Sequence, residues 1–220
     1  TAFYGTENYY YPASLVKLPT ALVLLEELKR LDISLDAFIR FNTDTVETCG
    51  SVRFVELTKN QKITFRQMLN ELIVVSDNHF YNALYHFITP GSLDARLLEL
   101  GFEDVYIYKA FTGCDTLQQL TTYPSIVVDV QPRKTTKLEL WSRTMHPSRF
   151  RNAYTKTENR MFGSKHENEE GEIVDGPYDL NYNLQIPLEQ VHEMMLRFFF
   201  PNNYPEEEQW NIREEDRNYL

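Results

Sequence analysis

Ala13-Ser14-Leu15-Val16-Lys17-Leu18-Pro19-Thr20-Ala21-Leu22-Val23-Leu24-Leu25 is the stretch on which the fold turns. Lys17 is its one charged side chain, and charge returns only from Glu26 to Arg30. A segment that is apolar nearly all round reads as a buried helix, here running over residues 13–31. Its cation stands near the N-terminal end, where the helix dipole is positive and burial disfavours the charged form. Both effects lower the amine pKa from its ordinary value of about 10.4. A neutral amine at physiological pH is a competent general base. Ser14 lies three residues earlier, so on a helix the two side chains share one face. A serine hydroxyl needs a neighbouring base to take its proton. A helix N-terminus would also set backbone N–H groups beside a developing oxyanion. The same residues equally suit an N-capping serine and a lysine that snorkels to solvent. Ser-x-x-Lys alone arises by chance about once in a chain of this length.

Further helices follow from hydrophobic period. Phe65, Met68, Leu69, Leu72 and Ile73 form a stripe over 64–74, with Thr64 as N-cap. Phe80, Ala83, Leu84, Phe87 and Ile88 repeat the pattern up to Pro90-Gly91, which is expected to stop it. A short helix capped by Ser92 and closed by Gly101 comes next. Downstream, Pro187 opens a helix carrying Val191, Met194, Met195, Phe198 and Phe199, and Pro201 ends it. Strands are predicted at Val52–Leu57, Val105–Tyr108 and Ser125–Val130. Residues 167–179 carry Glu167, Glu169, Glu170, Glu172, Asp175 and Asp179 without a base and read as a solvated loop. The tail from Pro205 reads as polar.

Composition narrows the classes. Of 220 residues, 42% are hydrophobic and 25% charged, which is globular rather than disordered. A net charge of −10 argues against a nucleic-acid surface, which needs clustered Lys and Arg. No run is long and apolar enough to span a bilayer. Eight glycines are too few for an all-β fold of many tight turns. His79, His86, His146, His166 and His192 show no metal-binding spacing, so no metal is expected. There is no Gly-x-Ser-x-Gly elbow, no Walker loop and no Gly-x-Gly-x-x-Gly. Cys49 and Cys114 form no Cys-x-x-Cys.

A second motif shifts the balance towards catalysis. Ser76-Asp77-Asn78 sits between two predicted helices, where Asp77 suits an N-cap. That triplet is expected by chance about once in several thousand positions. With Tyr11-Pro12-Ala13-Ser14-Leu15-Val16-Lys17 and Val74-Val75-Ser76-Asp77-Asn78, the chain resembles the penicillin-recognising serine acyltransferases, and within them class A β-lactamase-like serine hydrolases. The likeness covers residues 9–105. It implies a helix-rich α+β fold of the β-lactamase/DD-peptidase type. It also implies an acylated nucleophile at Ser14, with Lys17 as its base or proton relay. Ser76 would pass a proton to the leaving amine, Asn78 would bind the substrate amide, and Asp77 would be structural. No cofactor is implied. The implied substrate is a β-lactam, a peptidoglycan peptide or a related amide or ester, and the implied location is the periplasm or cell envelope. In an exported protein Cys49 and Cys114 could pair. Tyr4, Tyr9, Tyr10 and Tyr11 line a cleft or pack beside the nucleophile helix.

Two family features are missing. No Lys-Thr/Ser-Gly follows the helix at 187–199, and Lys134-Thr135-Thr136 and Lys156-Thr157-Glu158 come too early and lack the glycine. In the family's Glu-x-x-Leu-Asn loop, Leu180-Asn181 fits but Pro177 stands where the deacylating glutamate belongs. Glu170 and Glu172 are the nearby acids. Slow deacylation is the expected consequence. Only thirteen residues precede Ser14. The chain is therefore expected to be one incomplete domain, residues 1–220, with its helical part at about 12–200 and the flanking strands lying outside it. A non-catalytic binding or interaction module of the same fold is the alternative, although such a module has no need to keep Ser14, Lys17, Ser76 and Asn78 together.

Overall fold

The structure is a computed structural model that describes residues 11–41, 62–107, 110–111, 126–129, 161–168, 171–179 and 184–220. The predicted strand Val52–Leu57, both cysteines, His146, Tyr4, Tyr9, Tyr10, Glu170, the Leu180-Asn181 pair and both Lys-Thr stretches lie outside them.

The apolar stretch forms a short 3₁₀ turn, Ala13–Val16, that runs into helix α1, Lys17–Arg30. Ala21, Leu22, Leu24, Leu25 and Leu28 on α1 have no exposed surface. Each fully buried Leu contributes about 1.5–3 kcal/mol of transfer free energy, so α1 anchors the core. Its end is a left-handed closure at Asp32 (φ 54°), where Asp32 N–H donates to Lys29 O and Ile33 N–H to Leu28 O.

Strand β1, Phe38–Phe41, follows, then β2, Ile63–Thr64, and α2, Phe65–Asn70. Thr64 caps α2 as the sequence predicts, and Gln67 completes a reciprocal capping box. The chain does not continue as α-helix to 74. It widens into a π turn, Glu71–Val75, and stops at Ser76.

Helix α3, Asn78–Ile88, and helix α4, Pro90–Glu99, are separated by Thr89 alone. Pro90-Gly91 therefore opens α4 rather than merely stopping α3. Thr89 is the cap, its hydroxyl accepting from Ser92 N–H, and Pro90 takes a first-turn position where no N–H is needed. Gly101 (φ 83°) closes α4 with Phe102 N–H on Leu97 O.

The remaining strands are β3 (Tyr106–Ile107), β4 (Ile126–Asp129), β5 (Met161–Phe162), β6 (Lys165–Glu167), β7 (Ile173–Asp175), β8 (Tyr178–Asp179) and β9 (Leu184–Gln185). β1 lies between β2 and β4, antiparallel to both, with Ile39 opposite Ile63 and Val128. β3 pairs with β9. Within the acidic stretch expected as a loop, β7 and β8 are strands that return antiparallel onto β6 and β5, giving two nested pairs. Gly171 and Gly176, both at positive φ, give the backbone the turns it needs around β-branched Ile173-Val174.

Helix α5, Leu188–Phe199, begins one residue after Pro187, which is its N-cap. Beyond Pro201 lie two 3₁₀ turns and helix α6, Glu214–Tyr219. This tail is not merely polar. Trp210 and Ile212 are buried, and Trp210 donates its indole N–H to Met194 O at 3.1 Å. Arg213 donates to Ile33 O and Leu28 O, placing a cation at the C-terminal end of α1. Asn211 N–H donates to Glu26, whose carboxylate also accepts two bonds of 2.8 Å from Arg96. The tail thus ties α1 to α4. Among the described residues helices dominate and the sheets are small, which fits a helix-rich α+β fold.

Candidate active site

Ser14 stands in the 3₁₀ turn, not in α1 itself, and its side chain is exposed. The residue before it, Ala13, has φ 45°, a left-handed conformation that costs a non-glycine residue about 1–2 kcal/mol. Lys17 opens α1 and is 3% exposed, so it does not snorkel to solvent. Ser76 ends the π turn at φ 61° and ψ 35°, again left-handed without being glycine. Strained residues of this kind gather where the surrounding structure dictates a functional geometry.

The two segments meet at the lysine amine. Lys17 Nζ lies 2.9 Å from Ser76 Oγ and 2.8 Å from Asn78 Oδ1, and it also donates to the backbone carbonyl of Ser76. Ser76 Oγ in turn lies 3.1 Å from Ser14 Oγ. The left-handed turn at Ser76 is what lets one residue offer both its carbonyl and its hydroxyl to the same amine. The hydrogen bonds of Lys17 go to Ser76 and Asn78, and Ser14 is joined to them through the Ser76 hydroxyl.

Proton inventory follows from these partners. Ser76 O and Asn78 Oδ1 only accept, so they take two N–H bonds whatever the charge of the amine. The third direction points at a hydroxyl, which can donate or accept. A neutral amine therefore directs its lone pair at Ser76 O–H, whereas an ammonium donates a third N–H to Ser76 Oγ. Burial lowers the Lys17 pKa and Asp77 opposes that shift through its charge. The balance favours the neutral form relative to a free lysine.

Asp77 points the other way. Its Oδ1 accepts from His79 N–H at 2.7 Å and Phe80 N–H at 3.1 Å, capping α3. Replacing Asp77 by Ala is expected to cost about 1 kcal/mol in urea unfolding. The same substitution removes the charge that raises the Lys17 pKa, so that pKa moves still lower. Unchanged stability would show that the cap carries no weight.

Sequence reasoning missed two neighbours. Phe111 places its ring over Lys17 Nζ, 5.4 Å from the centroid. Asn82, fully buried, accepts the Phe111 backbone N–H at 2.8 Å. Asn82 lies one helical turn after Asn78, a spacing that marks it as sharing that helix face. Nothing in the local sequence marks Phe111. Among the described residues no group of three or more His, Cys, Asp or Glu side chains could hold a metal. Nor is any helix among them long and apolar enough to cross a membrane.

The helix-rich α+β scaffold gathers two serines and a buried lysine at one point, an arrangement that suits the chemistry of a serine hydrolase. A family model described as the beta-lactamase enzyme family matches residues 1–139, more than half the chain, and the chain belongs to that family. Comparison with curated proteins and with solved structures finds no match.

Proposed function

We propose that the chain is a serine hydrolase or acyltransferase that forms an acyl-enzyme on Ser14. The observation that carries this reading is the path from Ser14 Oγ through Ser76 Oγ to Lys17 Nζ, with steps of 3.1 and 2.9 Å. As Ser14 Oγ bonds to the substrate carbonyl carbon, its proton passes to Ser76 and the proton of Ser76 passes to Lys17. The ammonium so formed has a hydrogen-bond acceptor for each of its three N–H groups. When the tetrahedral intermediate collapses, the C–N or C–O bond breaks and the proton returns through Ser76 to the leaving atom. Asn78 has its carbonyl oxygen on Lys17, which leaves its amide nitrogen as the group to bind the substrate's acyl-amide oxygen. Asp77 supports the site by capping α3.

The substrates that suit this chemistry are β-lactams, peptidoglycan peptides and related amides or esters, met in the periplasm or cell envelope. Incubation with a fluorescent penicillin and with an activated ester, followed by peptide mass spectrometry, tests the reading. A covalent adduct on the peptide carrying Ser14 is expected. An adduct elsewhere, or none with any of several β-lactams and esters, would overturn it and leave a binding module of the same fold.

A further inference from the structure

Lys17 Nζ has oxygens on the side of Ser76 and Asn78 and an aromatic ring beside it. The ring is that of Phe111, which also packs on Tyr81 at 4.8 Å between centroids. Tyr81 is fully buried and stands on α3 between Asn78 and Asn82. Asn82 fixes the backbone of Phe111 from the same helix. One helix therefore holds the amine through Asn78 and the ring through Tyr81 and Asn82. The backbone of Phe111 is held by that half-buried hydrogen bond, and its ring cannot swing away without losing the contact with Tyr81.

We infer that Phe111 is a positioning residue that seals the Lys17 amine from bulk water. In the resting state its apolar body withholds the solvent that would stabilise an ammonium. Once the amine has taken a proton, the face of the ring offers it a weak attraction in place of water. Among the described residues, Asp77 is the charged group that acts on the amine. Asn78 and Ser76 are neutral, and burial pushes the Tyr81 phenol up so that it stays protonated. Phe111 is then a side chain whose replacement changes hydration of the amine without changing the charge around it.

The consequence for acylation rate rests on Lys17 acting as the proposed base, but the test does not. Lysine-labelled protein is titrated by NMR, with the Lys17 signal identified by its loss in Lys17→Arg. In Phe111→Ala the midpoint is expected to rise by about one pH unit, a roughly tenfold gain in proton affinity. In Phe111→Leu, which keeps an apolar body, it is expected to stay near the wild-type value. If Phe111→Ala does not fold, Phe111→Gln carries the test, with the same upward shift expected. A midpoint unmoved in Phe111→Ala, or in Phe111→Gln where that variant carries the test, overturns the inference. So does an equal shift in Phe111→Leu. Failure of the wild type to form an adduct on Ser14 would sink the proposed activity and leave this titration to decide the role of Phe111.

Discussion

Lys17→Met is expected to lower the second-order rate of adduct formation by about 10²–10⁴-fold, the usual contribution of a general base. The protein should remain folded. Met fills a similar volume and removes a charge from a position that is 3% exposed. Ser76 and Asn78 lose a donor, but both are exposed and water can replace it. Stability at pH 7 should therefore change by only about 1 kcal/mol. The pH dependence gives a second signature. Because burial lowers the folded-state pKa of Lys17, the unfolded chain holds a proton that the native chain has released. Between the native pKa and the ordinary lysine value, stability then rises with pH, and below the native pKa the full cost of burying the ammonium is present. Under the proposed mechanism the same native pKa is expected to set the acid limb of the acylation rate, which should climb as pH rises through it. Lys17→Met should lose both the climb in stability and the acid limb. Adduct formation within threefold of the wild type would remove Lys17 from the mechanism.

Much of this site was legible because its parts are local chemistry. A lysine in an otherwise apolar helix announces a buried amine, and Ser76-Asp77-Asn78 at a helix junction announces a cap beside a hydroxyl. What the string did not carry was the meeting of the two. Ser14 and Lys17 share a face, yet the structure joins them through Ser76, a link that exists only once α1 and the π turn have packed. The left-handed backbone at Ser76 is equally silent, since serine has no preference for it. Elsewhere the signals were present but outweighed. Thr89-Pro90 is an N-cap followed by a first-turn proline, and the breaker reputation of Pro90-Gly91 obscured it. Gly171 and Gly176 bracket Ile173-Val174 as turns bracket a strand, and the acids masked that pattern. Trp210 and Ile212 stand singly among charges, with no period to reveal that they are buried.

Trp210→Ala is the stability counterpart, with an expected loss of about 3–5 kcal/mol. The indole is 2% exposed, stacks on Phe102 with centroids 5.9 Å apart and donates to Met194 O. Truncation removes the ring, strands the Met194 carbonyl and opens a cavity between α5 and the loop after α4. At about 2–4 °C per kcal/mol for a chain of this length, the melting temperature should fall by about 6–20 °C. Trp210→Phe keeps most of the apolar volume and should recover most of that loss. Calorimetry of both variants checks this, and a fall below about 3 °C for Trp210→Ala would show that the tail is not part of the core. Residues on either side of Trp210 hold α1 and α4 by hydrogen bonds, so the whole tail is expected to loosen with it.

Helix α3 gives the site an unusual economy of control. Asn78, Tyr81 and Asn82 leave one rigid rod, so a small tilt of that rod would move the amine's acceptor, the ring's partner and the ring's backbone clamp together. The site is tuned as a lever is tuned, from its fulcrum. Leu84 and Phe87, in the core beneath the same helix, are therefore expected to bear on the setting of Lys17 although neither is among its hydrogen-bond partners. An attempt to move this chemistry to another scaffold would have to carry the helix, because the residues taken singly have no reason to keep step.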